Sequence, residues 1–377
     1  MDTERTKSVL EEGVTEGVFP GGVLLVAQAS HIMILHAVGM AAVIPNPIPM
    51  RTDTIFDLAS LTKVCATTLA MMKLVDDGSI GLDQTLSDLI PSSNLGDKGS
   101  LTCRMLLSHT AGLSEWRPFY LRLTGYPLEQ RMVKLREWIV QEPFAYGPGK
   151  GSLYSDLGFM LLQWVIEEKT HTTLKHFVEK TFYEPLGLTR TLFVSTVDVE
   201  SSSGSPAPLK RGNLCVQEFA ATEDCPWRKR ILQGEVHDEN AFALGGCASH
   251  AGLFSTAEET FVVAELLRSL YRGERDDFLM PETVRAFWKR QEVVPGSDWA
   301  LGWDTRSAEG SSAGRYFSRH SVGHTGFTGT SIWIDLEKDV TAILLTNRVH
   351  PSRENPEKMK AFRPRIHDTI MEELGLI

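Results

Sequence analysis

The chain has 377 residues, 42% hydrophobic and 23% charged, which is long enough for a large core and too apolar for a disordered protein. Its formal net charge is -10, and its 38 basic residues are spread along the sequence. This distribution argues against a nucleic-acid or anionic-membrane surface. We expect a small organic molecule as the binding partner, with no nucleic acid and no membrane span.

The sequence carries no signal for export or for structural disulfides. No apolar run approaches the roughly eighteen residues that cross a bilayer, and residues 1–17 form a charged amphipathic pattern. The five cysteines include no CxxC pair, which predicts reduced packing thiols. We expect a cytoplasmic protein, or a periplasmic or extracellular one if an export signal has been removed. The oligomeric state stays open between a monomer and a weak dimer.

The first half of the chain changes from strand to helix patterns. Apolar runs at 22–28 and 31–38, separated by Ala29-Ser30, predict an antiparallel hairpin, and a further strand is predicted at 54–59. The pattern is then helical up to about residue 195, with amphipathic stretches at 61–76, 101–108, 129–141, 156–169 and 173–182.

Strand patterns return near the C-terminus. Residues 201–208 predict a surface excursion, and the small residues at 245–252 precede a helix that Ser255 or Thr256 opens. The last predicted elements are strands at 299–304, 315–323, 328–336 and 340–347 and a closing helix at 357–374.

These elements predict an α/β (α+β) fold in which one antiparallel sheet, flanked by helices, is assembled from both chain ends. We assign residues 1–60 and 245–377 to this sheet domain. Residues 61–244 form an inserted, mainly helical lobe with a variable loop at 196–240. A functional site is expected between the two.

Ser60-Leu61-Thr62-Lys63 is the only Ser-x-x-Lys in the chain, and it lies where the predicted strand meets a helix. Residues i and i+3 share a helix face, so the lysine amine can take the serine proton while the helix N-terminus stabilises the oxygen. This arrangement predicts acyl-transfer chemistry at Ser60. The alternative is an ordinary serine N-cap on a buried helix.

Two further segments carry side chains suited to such chemistry. Tyr154 lies between a turn-forming run and a helix, so its phenol can point into a cleft, and Lys63 would lower its pKa from about 10. His324 opens His-Thr-Gly between two late strands, where Gly326 allows close approach of a ligand. The alternative for each is a packing side chain.

The order Ser-x-x-Lys, Tyr-x-Asp, His-Thr-Gly resembles the serine beta-lactamase and penicillin-binding-protein superfamily. The resemblance is to the branch of class C beta-lactamases, D-alanyl-D-alanine carboxypeptidases and beta-lactamase-like esterases. Residues 101–113, with Ser-His-Thr-Ala-Gly-Leu, are similar to a signature of this family, as are 184–188 and 252–256. The likeness covers nearly the whole chain and implies a beta-lactamase/transpeptidase-like fold.

The resemblance also implies roles for individual residues. Ser60 would be the nucleophile, Lys63 its activating base and Tyr154 the proton relay to the leaving group, with the main base left open between the last two. The backbone N–H groups of Ser60 and Phe327 would form an oxyanion hole. His324 completes the catalytic set, and substrate binding is assigned to Asp156, Thr325, Gly326, Asn347 and His250.

Two residues depart from the pattern of the family. Asp156 stands where the family usually has asparagine, and an ionised carboxylate cannot donate a hydrogen bond to an acylamino carbonyl. His324 stands where many beta-lactamases have lysine, and it offers a titratable, weaker charge for a substrate carboxylate. Both departures favour esterase or peptidase-like activity over efficient penicillin hydrolysis.

Other patterns do not have the context that their chemistry requires. Residues 310–314 fit Gly-x-Ser-x-Gly but lack the buried strand and the helix that surround a nucleophile elbow. His237, Asp238 and His250 do not have a metal-ligand spacing, and we interpret them as cleft-lining or loop-bracing groups. Trp299 and Trp303 are interpreted as packing residues that could border the pocket. We expect no cofactor and no catalytic metal.

The sequence therefore predicts a serine hydrolase that forms an acyl-enzyme on Ser60 and acts on esters, peptide-like amides or beta-lactams. One alternative is a penicillin-binding, receptor-like protein that is acylated but has negligible turnover. Another is an acyltransferase that uses the same residues with an alcohol in place of water.

Overall fold

The computed structural model describes residues 3–196 and 214–377. Within these residues the strands are β1 (Gly21–Gln28), β2 (His31–Ala42), β3 (Ile48–Pro49), β4 (Phe56–Asp57), β5 (Leu192–Phe193), β6 (Ala221–Cys225), β7 (Arg230–Gln233), β8 (Leu253–Ser255), β9 (Asp304–Thr305), β10 (Ser321–Thr325), β11 (Ser331–Asp335) and β12 (Val340–Thr346).

The helices of the described residues are α1 (Glu4–Thr15), α2 (Thr68–Asp76), α3 (Leu86–Leu89), α4 (Cys103–Leu107), α5 (Tyr120–Leu123), α6 (Leu128–Gln141), α7 (Asp156–Thr170), α8 (Leu174–Val178), α9 (Glu239–Ala243), α10 (Ala257–Arg272), α11 (Pro281–Trp288) and α12 (Pro356–Glu373). Two π-helical turns, Lys63–Thr67 and Glu179–Tyr183, adjoin α2 and α8, and short 3₁₀ turns occupy Gly96–Ser100 and Val216–Glu218. None of these helices combines the length and apolar character that a membrane crossing requires.

Both chain ends contribute to one seven-stranded sheet with the order β3-β2-β1-β12-β11-β10-β9. The predicted hairpin is present, and Ala29 and Ser30 form its turn with φ of 43° and 69°. Strand β1 pairs antiparallel with the last strand, β12. The predicted α/β fold, with an antiparallel sheet between helices, is confirmed.

Helices cover both faces of this sheet, which explains why β1 is buried along most of its length. On one face, Leu24 and Val26 belong to an apolar cluster with Leu10 of α1 and Ile366 of α12. On the other face, residues such as Val23 join the larger core shared with α10 and the helices of the middle segment. The sheet therefore separates two cores.

The predicted strand at 54–59 is present but shorter than predicted. Only β4 is extended, and it pairs with β8 in a separate three-stranded sheet, β4-β8-β5. The Asp57 carboxylate accepts a hydrogen bond from Ala59 N at 2.8 Å, and Ala59 has a φ of +48°. This local bond turns the chain out of the strand just before Ser60.

Two late strands are also shorter than predicted. Ala300 N donates to Trp303 O in a tight turn, so that only β9 remains of the strand predicted at 299–304. In the predicted strand at 315–323, the N–H groups of Arg315 and Ser318 bond to the side chains of Asp368 and Asp335. These carboxylates take donors that a strand ladder would otherwise use, so β10 begins only at Ser321.

The helix predicted from residue 61 is present, but it contains a π-helical turn directly after the Ser-x-x segment. Thr68 N donates to Lys63 O, which is the wider i to i+5 spacing of a π-helix. The helix predicted at 173–182 likewise divides into α8 and a π-turn, and that predicted at 101–108 is shortened to α4. The helix predicted to open at Ser255 or Thr256 is α10, which Thr256 caps through Glu259 N.

The predicted excursion at 201–208 lies outside the described residues. Residues 214–240, the described remainder of the predicted variable loop, include the hairpin of β6 and β7. The division into a sheet domain and an inserted lobe stays a prediction.

Candidate active site

Ser60 lies at the turn between β4 and the helical segment that continues into α2. Its hydroxyl receives two hydrogen bonds, from Lys63 Nζ at 3.0 Å and from Tyr154 Oη at 2.8 Å. Lys63 is fully buried although it carries an ammonium group. The structure thus brings together three residues that lie up to 94 positions apart in the sequence.

Two further groups hold the Lys63 ammonium. It lies 2.7 Å from Asp156 Oδ1 and donates to the backbone oxygen of His250 at 3.0 Å. Burial disfavours the charged amine, but the Asp156 carboxylate and the Tyr154 phenol outweigh it, so the pKa of Lys63 is raised. Lys63 is therefore an ammonium at rest and begins as a donor to Ser60.

Lys63 acts to lower the pKa of Tyr154, as expected, but the net shift of this pKa is upward. Burial raises this pKa, and the nearby ammonium offsets the effect only in part. The Tyr154 phenol is consequently neutral in the resting site. Ser60 Oγ thus accepts from two protonated groups, and a base must be generated when substrate binds.

His324 is buried and uncharged rather than the titratable cation that the sequence suggests. Burial and the charge of Lys63 lower its pKa to about 3. Its Nδ1 faces the Thr325 carbonyl oxygen at 2.8 Å and must carry the hydrogen, so Nε2 is an acceptor. Nε2 has no hydrogen-bond partner among the described residues.

His109, within the Ser-His-Thr-Ala-Gly-Leu segment, is a site residue that the sequence did not single out. Its backbone oxygen accepts from Leu153 N at 2.9 Å, and its Nδ1 accepts from Ser155 N at 3.0 Å, so it holds both neighbours of Tyr154. Its ring packs 4.7 Å from the Tyr154 ring. Burial, followed by the charge of Lys63, keeps the pKa of His109 well below its ordinary range.

The N–H groups of Ser60 and Phe327, assigned to an oxyanion hole, make no hydrogen bond within the described part of the chain. Hydrogen bonds from neighbouring segments hold the turn that carries Phe327. Gly326 N donates to Thr330 O, Thr330 Oγ1 donates to Leu58 O, and Arg363 Nη2 donates to both Gly326 O and Thr330 O. These bonds fix the β10–β11 turn against the Ser60 turn.

A cavity of about 730 Å³ opens over Ser60. Of the residues assigned to substrate binding, Asp156, Thr325, Gly326 and His250 line it. Asn347 does not, and its assignment is corrected: it is buried, its Nδ2 donates to Met40 O and Ala41 O, and its Oδ1 accepts from Gly21 N. The Asn347 amide therefore ties β12 to β1 and β2.

The cavity wall contains residues from distant parts of the sequence. Trp299 lines the cavity and packs against the rings of His109, Tyr154 and His324, so it both packs and borders the pocket. Trp303 is buried in the core. The sequence also did not single out the four cations of the wall, Arg348, Arg353, Lys360 and Arg363. Phe327 is half exposed at the cavity.

Arg348 and Arg363 lack a carboxylate partner in the described residues. Arg363 donates to backbone oxygens, and Arg348 donates to Phe327 O and Arg353 O. Burial, followed by the charge of Arg348, lowers the pKa of Arg363 to about 10. Two nearly buried guanidinium groups therefore face the cavity without a counter-charge, which favours an anionic group on the ligand.

The competing serine motif has no such surroundings. Ser312 Oγ accepts from Trp333 Nε1 in the loop between β9 and β10. No described base contacts this hydroxyl, and His367 Nδ1 lies 2.7 Å from the Ser312 backbone oxygen, so Ser312 braces the loop.

A family model described as Beta-lactamase matches residues 6–361. The chain is 31% identical over 381 residues to an N-acetylmuramyl-L-alanine amidase of Bacillus subtilis (strain 168), covering 94% of this chain and 82% of the relative. It is 32% identical over 370 residues to an Escherichia coli (strain K12) protein named provisionally as a D-alanyl-D-alanine carboxypeptidase, covering 90% and 81%.

A solved structure shares the fold. EstCE1, described as a hydrolase with promiscuous acyltransferase activity, superimposes with a TM-score of 0.71 at 23% identity, covering 96% of this chain and 98% of EstCE1. The relatives named above are hydrolases, and the family model covers nearly the whole chain. The chain therefore belongs to the beta-lactamase family.

Proposed function

We propose that the protein is a serine hydrolase that forms an acyl-enzyme on Ser60 and acts on esters or peptide-like amides. The observation that carries this proposal is the pair of hydrogen bonds from Lys63 and Tyr154 to Ser60 Oγ at the base of an open cavity. A serine held by two groups able to exchange protons is the arrangement that nucleophilic catalysis requires.

Acylation needs a base, and Lys63 supplies it once its ammonium has lost a proton. As Ser60 Oγ bonds to the substrate carbonyl carbon, the neutral Lys63 amine takes the serine proton. Tyr154 donates its proton to the leaving group and is then reprotonated by Lys63. One proton is thus transferred overall from serine to the leaving group, and Lys63 returns to its neutral form.

The backbone N–H groups of Ser60 and Phe327 would stabilise the negative oxygen of the tetrahedral intermediate. Loss of one such donor costs about a hundredfold or more in rate in well-studied hydrolases. Water then attacks the acyl-enzyme, the same groups move its proton, and the acid is released.

The cationic side chains that line the cavity indicate which charge the substrate carries. Arg348 and Arg363 favour a substrate with a carboxylate, and this agrees with a peptide-like amide. The amidase and carboxypeptidase names of the two relatives support the same class. Asp156 in place of asparagine argues against efficient binding of a penicillin side chain.

A second candidate is acyl transfer to an alcohol, which the likeness to EstCE1 supports. The cavity is large enough to hold an acceptor beside an acylated serine. Product analysis with an added alcohol separates transfer from hydrolysis. A receptor-like protein with negligible turnover would instead keep a penicillin adduct for hours.

The test is hydrolysis of a chromogenic ester such as p-nitrophenyl butyrate. We expect Ser60→Ala to lower kcat by about a thousandfold or more, because the nucleophile is lost. Ser312→Ala, in the competing motif, should leave the rate unchanged. Full activity in Ser60→Ala would refute the proposal.

A further inference from the structure

The buried cation Arg363 contacts the turn that carries Phe327, the proposed oxyanion-hole donor. Arg363 belongs to α12, near the C-terminus, and is 9% exposed. Its Nη2 donates to Gly326 O at 2.9 Å and to Thr330 O at 3.0 Å. Gly326 O also accepts from Gly329 N, and Thr330 O accepts from Gly326 N. One guanidinium nitrogen therefore joins the two carbonyl oxygens that close the turn.

The Gly326 carbonyl and the Phe327 N–H belong to the same peptide group. Because this group is planar and trans, its C=O and its N–H point in opposite directions. A guanidinium bound to the oxygen therefore fixes the direction of the N–H. It also polarises the peptide group, which makes the N–H a stronger donor. Phe327 N makes no hydrogen bond within the described residues, so it can donate to a ligand.

A second guanidinium holds the next peptide group along the chain. Arg348 donates to Phe327 O through Nε at 3.1 Å and through Nη2 at 2.7 Å. Arginine side chains thus hold the peptide groups on both sides of the Phe327 Cα atom. Only Arg363 contacts the peptide group that contains the proposed donor, so the effect on this donor is assigned to Arg363.

The charge of Arg363 matches the charge that develops during the reaction. Its hydrogen bonds go to backbone oxygens, and no described carboxylate pairs with it. Burial, followed by the charge of Arg348, lowers the pKa of Arg363 to about 10, so the guanidinium stays charged at neutral pH. The negative oxygen of the tetrahedral intermediate would bond to the N–H of the peptide group that Arg363 holds. In a buried site, opposite charges separated by one peptide group attract strongly.

We propose that Arg363 is a positioning residue for the oxyanion hole, which orients and polarises the Gly326–Phe327 peptide group before the reaction begins. This inference rests on the proposed acyl-enzyme at Ser60. It goes beyond the binding of a substrate carboxylate, because an effect on the oxyanion lowers the barrier for neutral and anionic substrates alike.

The test compares p-nitrophenyl butyrate with mono-p-nitrophenyl glutarate, whose acyl group is a butyryl chain with a terminal carboxylate. We expect Arg363→Ala to lower kcat on the neutral ester about tenfold to a hundredfold, with little change in KM. Arg363→Lys keeps the charge and should be at least about threefold faster than Arg363→Ala. Arg365→Ala, which removes a surface ion pair with Glu16 from the same helix, is the control and should keep the wild-type kcat.

Chemical rescue separates positioning from folding. Guanidinium chloride at about 50 mM, far below the molar concentrations that unfold proteins, can enter the cavity that Arg363 lines. It should raise the kcat of Arg363→Ala at least about threefold and leave the wild type unchanged. If Arg363→Ala does not fold, Arg363→Lys is compared with Arg363→Gln, since both keep a long side chain, and equal kcat values would overturn the proposal.

Three other results would also overturn it. They are wild-type kcat in Arg363→Ala on the neutral ester, a loss confined to the glutarate ester, and a loss that neither lysine nor guanidinium recovers. The first two leave the hydrolase intact, provided that activity still requires Ser60. Activity that persists in Ser60→Ala would instead remove the proposed function and this inference together.

Discussion

Asp156 is the residue that most changes the chemistry expected of this site. Its carboxylate lies 2.7 Å from the Lys63 ammonium and raises the pKa of that lysine against the effect of burial. An asparagine at this position would orient Lys63 without adding charge. The substitution was visible in the sequence, but its effect on Lys63 needed the distance.

The charge of Asp156 leads to a prediction about the pH dependence of kcat/KM. Since the carboxylate raises the pKa of Lys63, Asp156→Asn lowers it, and the neutral amine becomes available at lower pH. The rising limb of kcat/KM against pH for a neutral ester should therefore move toward lower pH. Rates measured from pH 5 to 10 check this. A limb that stays in place or moves toward higher pH would exclude Lys63 as the group that titrates.

His109 acts on the site through Tyr154. His109→Phe keeps a ring beside the phenol but removes the acceptor for Ser155 N, and a buried N–H left without a partner costs about 1–3 kcal/mol. His109→Asn keeps an acceptor and tolerates the φ of +55°.

We expect kcat on p-nitrophenyl butyrate to fall about tenfold to a hundredfold in His109→Phe, with little change in KM. His109→Asn should retain most of the rate. Equal losses in the two variants would mean that ring packing, and not the hydrogen bond to Ser155, positions Tyr154.

The presence and type of the helices and strands were predicted better than the residues at which they begin and end. The hairpin, the helices and the late strands follow from apolar periodicity, which tertiary contacts do not disturb in long segments. The strands near 54–59 and 315–323 were overestimated because buried side chains such as Asp57 and Asp335 take backbone donors. A single sequence does not show which N–H a distant carboxylate will bind.

The turn between β10 and β11 positions the proposed oxyanion hole, and Gly326 is its tightest point. A Cβ at Gly326 would lie 2.6 Å from Leu58 O and 2.0 Å from Thr330 Oγ1, so Gly326→Ala must push this turn away from Ser60. We expect kcat on a chromogenic ester to fall about a hundredfold. Gly81→Ala, whose nearest neighbour is the flexible Gln84 side chain, is the control. Wild-type kcat in Gly326→Ala would show that the turn does not contribute to catalysis.

At the scale of the whole molecule, the cavity depends on contacts that no local pattern encodes. Helix α12 at the C-terminus brings Lys360 and Arg363 to a site whose nucleophile is at position 60. Motif order was enough to predict Ser60, Lys63, Tyr154 and His324 as neighbours, because the resemblance supplied the fold. Motif order was not enough to predict the cations that line the cavity, the contacts of His109 with Tyr154 or the buried position of Asn347. Each of these depends on packing between distant elements.

The most direct test of the central claim, nucleophilic catalysis by Ser60, is the intact-protein mass after incubation with a fluorophosphonate and, separately, with a penicillin. The account predicts a single covalent adduct with the fluorophosphonate in the wild type and none in Ser60→Ala, and a penicillin adduct, where one forms, should also require Ser60. An adduct that persists in Ser60→Ala, or no fluorophosphonate adduct in the wild type, would contradict it.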